Sequence, residues 1–492
     1  MKKLLFVMVS LLLMLVGCSS TNPSLKEVYM NSMKYESFES KMTLSVNADV
    51  KGAELEEQEK QILDMLKSGI TMEQKQANAE EAYMKLTLVN DQPLRDMGYW
   101  SAEEQAALEI LVKGQKVFMK TSADPYYYEV DTTEAEGYNA SAMQMSMADQ
   151  KKLREFMKGA LEDYMMQFDY TIENINDKGW KNIQTPEGYE KVRMVEVQFD
   201  INNILDFASY TLGNLAEYEK LDQLVKDFMA FMPEEAGMPS DEELTEGIQE
   251  VRNGMLQAKA YVDGFTEESL EEMAGMDIDF KAVSEVGLSK EKKYLASEDT
   301  TISLSVTDRE SGEGVDAEIN IDSLVWNVGG QVDLPKVQRA INVEELAQDL
   351  DRVKALPDET PVKQLLMKEF SAEFIVNETF ATLGTEWVEL PQATYEKNGE
   401  VMVPIANVTD WLNGKLKWNG KDQSFKVQIG KKNMDFKVGS KEVKVNGKKL
   451  MMTSPVELKN GTSFVPVSFI AEQIGAKVDY NKEYGTVNVY FE

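Results

Sequence analysis

One sulfur nucleophile, no imidazole and a surplus of carboxylates bound the chemistry open to this chain of 492 residues. Its single cysteine, Cys18, stands just after the apolar run Leu4 to Val16. Histidine is absent altogether. That absence removes Ser-His-Asp and Cys-His nucleophile arrangements, His-ligated zinc or copper, and the usual general base near neutral pH. A lone cysteine makes neither an internal disulfide nor a zinc ribbon. There is no Gly-rich phosphate loop, no Walker-type run and no complete EF-hand loop; the nearest stretch, Asn174-Ile175-Asn176-Asp177-Lys178-Gly179, puts a lysine where an oxygen ligand is needed. Met143, Met145 and Met147 alternate, and thioethers are soft ligands able to hold Cu(I), although the chain uses 29 methionines and such residues also serve as adaptable apolar filler. Tyr126-Tyr127-Tyr128 can grip a sugar or a lipid, or simply pack a sheet. Asp and Glu total 85, so carboxylate chemistry stays open, but spacing marks out no pair. No residue stands out as catalytic, cofactor-binding or metal-ligating, and the chain reads as a non-enzyme without a cofactor.

The elements that would position these residues begin with a leader. Lys2 and Lys3 precede the apolar run, which is too short for a spanning helix of about 20 residues and fits a signal-peptide core. Leu15-Val16-Gly17-Cys18 resembles a bacterial lipoprotein signal. That resemblance implies a signal peptide over 1–17, cleavage before Cys18, palmitate-type acyl chains on the lipidated Cys18, and a mature protein anchored to the cell membrane on its extracytoplasmic face. Two or more acyl chains anchor stably where one is marginal. An ordinary secretory peptide ending in Cys is the alternative.

Charge is unevenly spread. The whole chain carries −33, and loss of Lys2 and Lys3 with the leader gives −35. Residues 388–492 hold 15 lysines against 12 acids, a net of +3, so residues 18–387 carry −38. Such an acidic body argues against nucleic acid as a partner and favours solubility. Residues 415–449 concentrate eleven lysines against Asp422, Asp435 and Glu442. They can touch an anionic wall polymer, or form the solvated face of hairpins whose edges lysine blunts.

The C-terminal part repeats itself at an interval of 62 residues. Lys397-Asn398-Gly399 and Val403-Pro404-Ile405 return as Lys459-Asn460-Gly461 and Val465-Pro466-Val467. Val408, Leu412, Leu416, Trp418 and Asn419 match Ile470, Ile474, Val478, Tyr480 and Asn481, and Phe425, Val427 and Ile429 match Val487, Val489 and Phe491. A duplicated α+β unit follows, each copy a turn at Asn-Gly, a short strand into Pro, a helical turn and a hairpin. The run Asn446-Gly447-Lys448, Lys459-Asn460-Gly461-Thr462, Phe464-Val465-Pro466-Val467, Phe469-Ile470-Ala471, Ile474-Gly475-Ala476, Val478-Asp479-Tyr480-Asn481 and Thr486-Val487-Asn488-Val489 resembles the copper amine oxidase N-terminal-like or stalk domain of many exported Gram-positive proteins. The first copy departs from the pattern with Asn413-Gly414 in place of Gly475-Ala476. The resemblance implies an attachment module rather than a catalyst, since the oxidase's copper belongs to another domain.

Between leader and repeat, alternation marks strands at Met42 to Val50, Ala82 to Leu88, Val117 to Lys120, Tyr126 to Val130 and Val195 to Ile201. Three more are expected at Ile302 to Val306, Val315 to Ile321 and Leu324 to Val328. Helical spacing appears around Glu54 to Leu66, Leu153 to Phe168 and Leu221 to Met232. The expected fold class is α+β: a large curved antiparallel sheet with covering helices, then the small duplicated domain. Ala82-Tyr83-Met84-Lys85, Val117-Phe118-Met119-Lys120, Tyr126-Tyr127-Tyr128 and the closing strands from Ile319 to Val332-Asp333-Leu334-Pro335 resemble the LolA-like and mycobacterial LppX-like half-barrel envelope lipoproteins. That resemblance implies carriage or sensing of a lipid or other amphiphile.

The expected organisation is a leader over 1–17, lipidated Cys18 with a tether over 18–24, a half-barrel body over 25–335, a helical connector over 336–387 and two repeats over 388–492. The expected function is a non-enzymatic, membrane-anchored lipoprotein that binds an amphiphile or an envelope component. Its expected partners are the membrane through the anchor, a lipid ligand, and an anionic wall polymer or surface protein. The alternatives are a structural spacer and, last, a carboxylate-dependent wall glycan hydrolase, which needs two acids a few ångströms apart in a cleft.

Overall fold

A computed structural model describes residues 23–32, 34–52, 55–131, 147–172, 174–229, 231, 239–265 and 275–491. They form a mixed α+β fold in two compact units. The first takes in described residues within 1–100, 105–122 and 131–337, the second those within 101–104, 123–130 and 338–492.

The first unit is a large antiparallel sheet with helices set between its strands. Its strands are β1 (Phe38–Lys51), β2 (Ile70–Asn78), β3 (Glu81–Leu88), β4 (Ala107–Lys113), β5 (Lys116–Thr121), β7 (Ile175–Thr185), β8 (Gly188–Asp200), β9 (Met276–Ser289), β10 (Leu295–Asp308) and β11 (Gly314–Trp326). They run side by side in the order β5-β4-β3-β2-β1-β11-β10-β9-β8-β7. The helices are α1 (Pro23–Ser32), α2 (Glu57–Ser68), α3 (Gln92–Asp96), α4 (Met147–Gln167), α5 (Ile201–Ala216), α6 (Leu221–Met229) and α7 (Asp241–Val262).

Local signals fix several of these boundaries. The Asp200 carboxylate accepts from Asn203 N at 2.8 Å while the Asn203 side chain accepts from Asp200 N at 3.1 Å. This reciprocal cap ends β8 and starts α5 at Ile201, a residue whose apolar character reads as one more strand position in the sequence. Ser240 and Glu243 form the same kind of box at α7, whose first turn adds Asp241 and Glu242 at the positive end of the helix dipole. The two strands expected at Val315 to Ile321 and Leu324 to Val328 are one strand, β11. Nothing at Asp322-Ser323 turns the chain; the apolar positions change face there, and β10 pairs with β11 without a break from Ile302 opposite Ile319 to Ser297 opposite Leu324.

The second unit contains β6 (Tyr127–Asp131) and β12 (Ala340–Asn342), which pair in parallel, followed by α8 (Val343–Ala347), α9 (Leu350–Lys354) and α10 (Pro361–Glu369). The expected helical character of 343–370 is present. Beyond it the chain forms strands where a connector was expected: β13 (Ala372–Ile375), β14 (Phe380–Leu383) and β15 (Glu386–Glu389). Then come β16 (Tyr395–Lys397), β17 (Glu400–Pro404), α11 (Ile405–Trp411), β18 (Lys415–Asn419) and β19 (Ser424–Ile429). The whole series returns as β20 (Lys432–Lys437), β21 (Glu442–Val445), β22 (Lys448–Met451), β23 (Glu457–Lys459), β24 (Thr462–Pro466), α12 (Val467–Ile474), β25 (Lys477–Asn481) and β26 (Thr486–Tyr490). The duplicated unit thus starts near residue 370, and β14 to β18 map onto β21 to β25 at the same 62-residue interval that the sequence shows further on.

The two copies exchange strands. β13 of the first copy pairs with β26 of the second, and β20 of the second pairs with β19 of the first, giving sheets β15-β14-β13-β26-β25 and β18-β19-β20-β21-β22. The registers are reciprocal: Ala372 faces Val489, and Met434 faces Val427. Between them lies a third sheet, β16-β17-β24-β23, in which Val403 faces Val465 while Met402 faces Pro466 and Pro404 faces Phe464. An approximate twofold axis therefore passes through the Val403–Val465 pair, as in a self-complementary dimer built within one chain. Both valines are fully buried, and so are the equivalent Phe374 and Phe436. Asn398-Gly399 and Asn460-Gly461 all have positive φ, the geometry of the tight hairpin turn that Asn-Gly favours.

Candidate functional site

In the first unit, strand alternation places one apolar residue after another on a single sheet face. Across the β8 side the row runs Phe199, Ala282, Ile302, Ile319, Val46. Across the β4 side it runs Met42, Met72, Leu86, Leu108, with Leu44, Ile70 and Leu88 beside it and Met84, Ile110 and Met119 beyond. Helices cover the first part. Ile201, Ile204 and Phe207 of α5, Met165 and Phe168 at the end of α4, and Val28 of α1 form one buried cluster with Val195, Val197, Phe199, Phe280, Ala282 and Ile302. Each of these side chains larger than alanine contributes roughly 1.5–3 kcal/mol by leaving water. On the β1 to β5 part, Met42, Leu44, Ile70, Met72, Met84, Leu86, Leu88, Leu108 and Ile110 are only half-buried among the described residues. α2 packs against β1, and the apolar face there stays partly open to solvent.

At the rim of the covered part stands an aromatic group. Tyr170 lies 5.1 Å from Phe207 and 5.3 Å from Tyr210, and Phe168 meets Tyr210 edge-on at 5.1 Å. Polar atoms tie it down: Asp169 N donates to the Tyr210 hydroxyl at 2.8 Å, and the Tyr218 hydroxyl donates to Asp163 Oδ2 at 2.8 Å. Lys220 Nζ also donates to Asp163 at 2.7 Å, and these partners hold that carboxyl below its usual range. Burial, with the Asp163 bond, pushes the Tyr218 phenol up to about 12.

The second unit has an open cleft of about 550 Å³ lined by Asp349, Asp351 and Arg352 on the α9 side and by Asn413, Lys415, Gln428 and Lys431 opposite. Two acids line it, yet both are engaged. Asp349 caps α9 by accepting from Arg352 N at 3.1 Å, and Asp351 Oδ2 accepts from Lys431 N at 3.2 Å. A glycosidase-type acid needs a carboxyl whose pKa is raised. Every carboxyl whose acidity is perturbed among the described residues moves the other way, held down by a cation or by hydrogen-bond donors, as in Asp91, Asp177, Glu196 and Asp316.

Of the residues singled out in the sequence, Cys18, Met143 and Met145 lie outside the described residues, and Met147 opens α4. The Asn174 to Gly179 stretch is the start of β7 with a register shift between Asp177 and Gly179. Asp177 there accepts from Gly179 N at 2.9 Å and pairs with Arg193 at 2.5 Å, so its charge is spent on the protein itself. Among the described residues no group of three carboxylates, cysteines or histidines is placed to hold a metal ion. Tyr126 to Tyr128 are packing residues: Tyr127 and Tyr128 are buried, the Tyr128 hydroxyl donates to Asp124 at 3.0 Å, and Arg339 lies 4.3 Å over the Tyr126 ring. The sequence did not show the exchange of strands, nor that the half-covered apolar face spans so many strands; pairing order is what assembles the latter, and it is not local.

Among the described residues no helix is long and apolar enough to cross a membrane. No curated protein matches the chain. Residues 382–489 match the family model of the copper amine oxidase N-terminal domain. The match opens inside β14 and closes inside β26, so it takes in nearly the whole strand-exchanged duplication, and the domain that it describes is a non-catalytic one.

Proposed function

We propose that the protein is a non-enzymatic, lipid-anchored envelope protein that binds an amphiphile or an envelope component on the apolar sheet face of its first unit, with the second unit as its attachment module. The observation that carries this reading is the run of half-buried Met, Leu and Ile side chains from β1 to β5, in register with the fully covered residues of β8 to β10. A partly open apolar face of this length suits the apolar part of an amphiphile. The leader and Cys18 supply the anchor, after the pattern of a bacterial lipoprotein signal. LolA-like carriers, which the body resembles in its sequence, hold lipid in this manner.

Native mass spectrometry with lipid extraction tests the reading. The mature chain, with Cys18→Ser to remove the anchor, should carry a near-stoichiometric amphiphile after gentle purification. Met72→Lys, in the middle of the apolar face, should release it while the melting curve of the second unit stays unchanged. A clean apo mass that persists after incubation with membrane extract would refute the binding role and leave the spacer reading in its place.

A further inference from the structure

Four lysines of the second unit fall into a line. Register through sheet β18-β19-β20-β21-β22 sets Lys417 opposite Lys426, Lys426 opposite Asp435, Asp435 opposite Lys444, and Lys444 opposite Lys449. All five residues point to solvent, away from the buried Phe425, Phe436 and Val443 of the same strands. At about 4.8 Å per strand the row extends roughly 19 Å. Asp435 pairs with Lys426 at 3.4 Å and Glu442 with Lys449 at 2.9 Å, while Lys417 and Lys444 make no ion pair among the described residues.

Edge protection accounts for only part of this. Lys417 and Lys449 sit on the outer strands β18 and β22, where lysine discourages edge-to-edge pairing. Lys426 and Lys444 are on interior strands, where no edge needs blunting. Direct cross-strand opposition of like charges, present twice here, disfavours a sheet. The fold does not demand it either, because the molecule contains its own control. The twofold-related row in the other sheet is Asp479, Asn488, Glu373, Thr382 and Trp387, in the same backbone geometry and without a lysine.

We infer that the outer face of sheet β18 to β22 is a docking surface for a linear phosphate polyanion, laid along the row of Lys417, Lys426, Lys444 and Lys449. An anionic chain relieves both like-charge pairs at once, one on either side of the central Asp435. The chemistry of the cations selects a polymer over a folded acidic protein. Residues 388–492 contain fifteen lysines and no arginine. Protein interfaces enrich arginine and deplete lysine, whereas lysine is a hydrated point charge that follows a phosphate chain without fixed bidentate geometry. The inference deepens the attachment half of the proposed function and stands independently of any amphiphile on the first unit.

The test uses the mature chain with Cys18→Ser and fluorescently labelled linear inorganic polyphosphate, read by anisotropy. The double variant Lys417→Asp, Lys426→Asn installs the residues that the second copy carries at the same places, so its melting curve should match the parent's. The parent should bind, with affinity falling steeply as salt rises from about 0.05 to 0.3 M. The double variant should bind at least about tenfold more weakly, from lost lysine contacts. A control with the same charge change on α2, Lys60→Asp with Lys67→Asn, should bind as the parent does, and orthophosphate at equal phosphorus should not compete. No binding by the parent at low salt overturns the inference. So does an equal loss in both variants, which reduces the effect to net charge, and so does self-association abolished by the double variant in the absence of polyphosphate binding, which would assign the face to a second copy.

Discussion

The exchange of strands between the two copies makes a direct prediction about which residues can be joined. Glu373 of β13 faces Asn488 of β26. Facing residues in an antiparallel pair have Cα atoms about 4.5–5.5 Å apart, inside the range of about 4.4–6.8 Å that a disulfide spans. Glu373→Cys with Asn488→Cys, in a Cys18→Ser background, should therefore oxidise to a single intramolecular bridge. If each copy instead closed on its own hairpin, Glu373 would face Lys426, the first-copy equivalent of Asn488, and Glu373→Cys with Lys426→Cys would bridge; the exchanged fold puts those two in different sheets. The bridge also has a size. It closes a loop of roughly 115 residues, for which chain entropy gives about 5 kcal/mol of stabilisation before strain is subtracted. At about 2–4 °C per kcal/mol for a unit of this size, the oxidised form should melt up to about 10–20 °C above the reduced form. Peptide mapping without reductant identifies the bridge, and melting with and without reductant gives its effect. Bridging of 373 with 426 but not with 488 would refute the exchanged topology outright.

Other perturbations follow from single contacts. Lys354 donates from its half-buried Nζ to Ile474 O at 2.5 Å, at the end of α12, and lies 4.7 Å over the Phe491 ring; Lys354→Ala should cost the second unit about 1–3 kcal/mol by denaturant titration. Gly414 has no room for a methyl group, since a Cβ would lie 2.5 Å from Gln428 O and 2.8 Å from Thr409, so Gly414→Ala should cost about 1–3 kcal/mol, whereas the twofold-related Ala476→Gly should cost about 1 kcal/mol or less. Asp91 accepts from Arg95 and from Ala106 N at 2.8 Å, and Arg95 above all holds its carboxyl below the ordinary 3.8. A carboxyl with a lowered folded pKa adds stability that is present above the unfolded value and is lost as pH falls through the folded one. Melts of the parent and Asp91→Asn should therefore differ at pH 6 and draw together as pH falls below the ordinary 3.8; a gap that holds constant to acid would disprove the linkage.

What the sequence displayed was governed by which residues the duplication kept. Asn-Gly turns and the Val-Pro step survive in both copies, so β16 to β19 announce β23 to β26. The first three strands of each copy kept only size and backbone sign. Ala381 and Leu383 stand where Val443 and Val445 do, all buried, while Trp387 stands where Lys449 does. Asn377 takes the positive-φ position that Gly439 holds, and Gly384 the one that Asn446 holds. Matching by residue type therefore stops near 395, and the helical spacing ahead of Phe370 lends the whole stretch the look of a connector. The exchange itself is invisible in any local window, because a strand's partner is chosen by tertiary packing. In the first unit α7 escaped notice for a different reason: of its 22 residues only Ile248 is buried, so it has almost no apolar stripe to read. The candidate site divides likewise. The apolar alternation of β1 was plain, but the way its neighbours extend that face needed the pairing order.

The reciprocal strand pairing also sets an order on folding. β13 has no second neighbour until Thr486 to Val489, roughly 115 residues further along the chain, are in place. A chain that acquires structure from its N-terminal side onward holds that edge open in the meantime. During the wait β19 and β20 close only one of the two sheets, and Phe374 stays in water. Another chain whose β25 and β26 have already paired offers an identical hairpin to the open edge. Crowded folding should then yield interlocked pairs of chains in place of monomers, and Thr486 to Val489 decide when the molecule is finished.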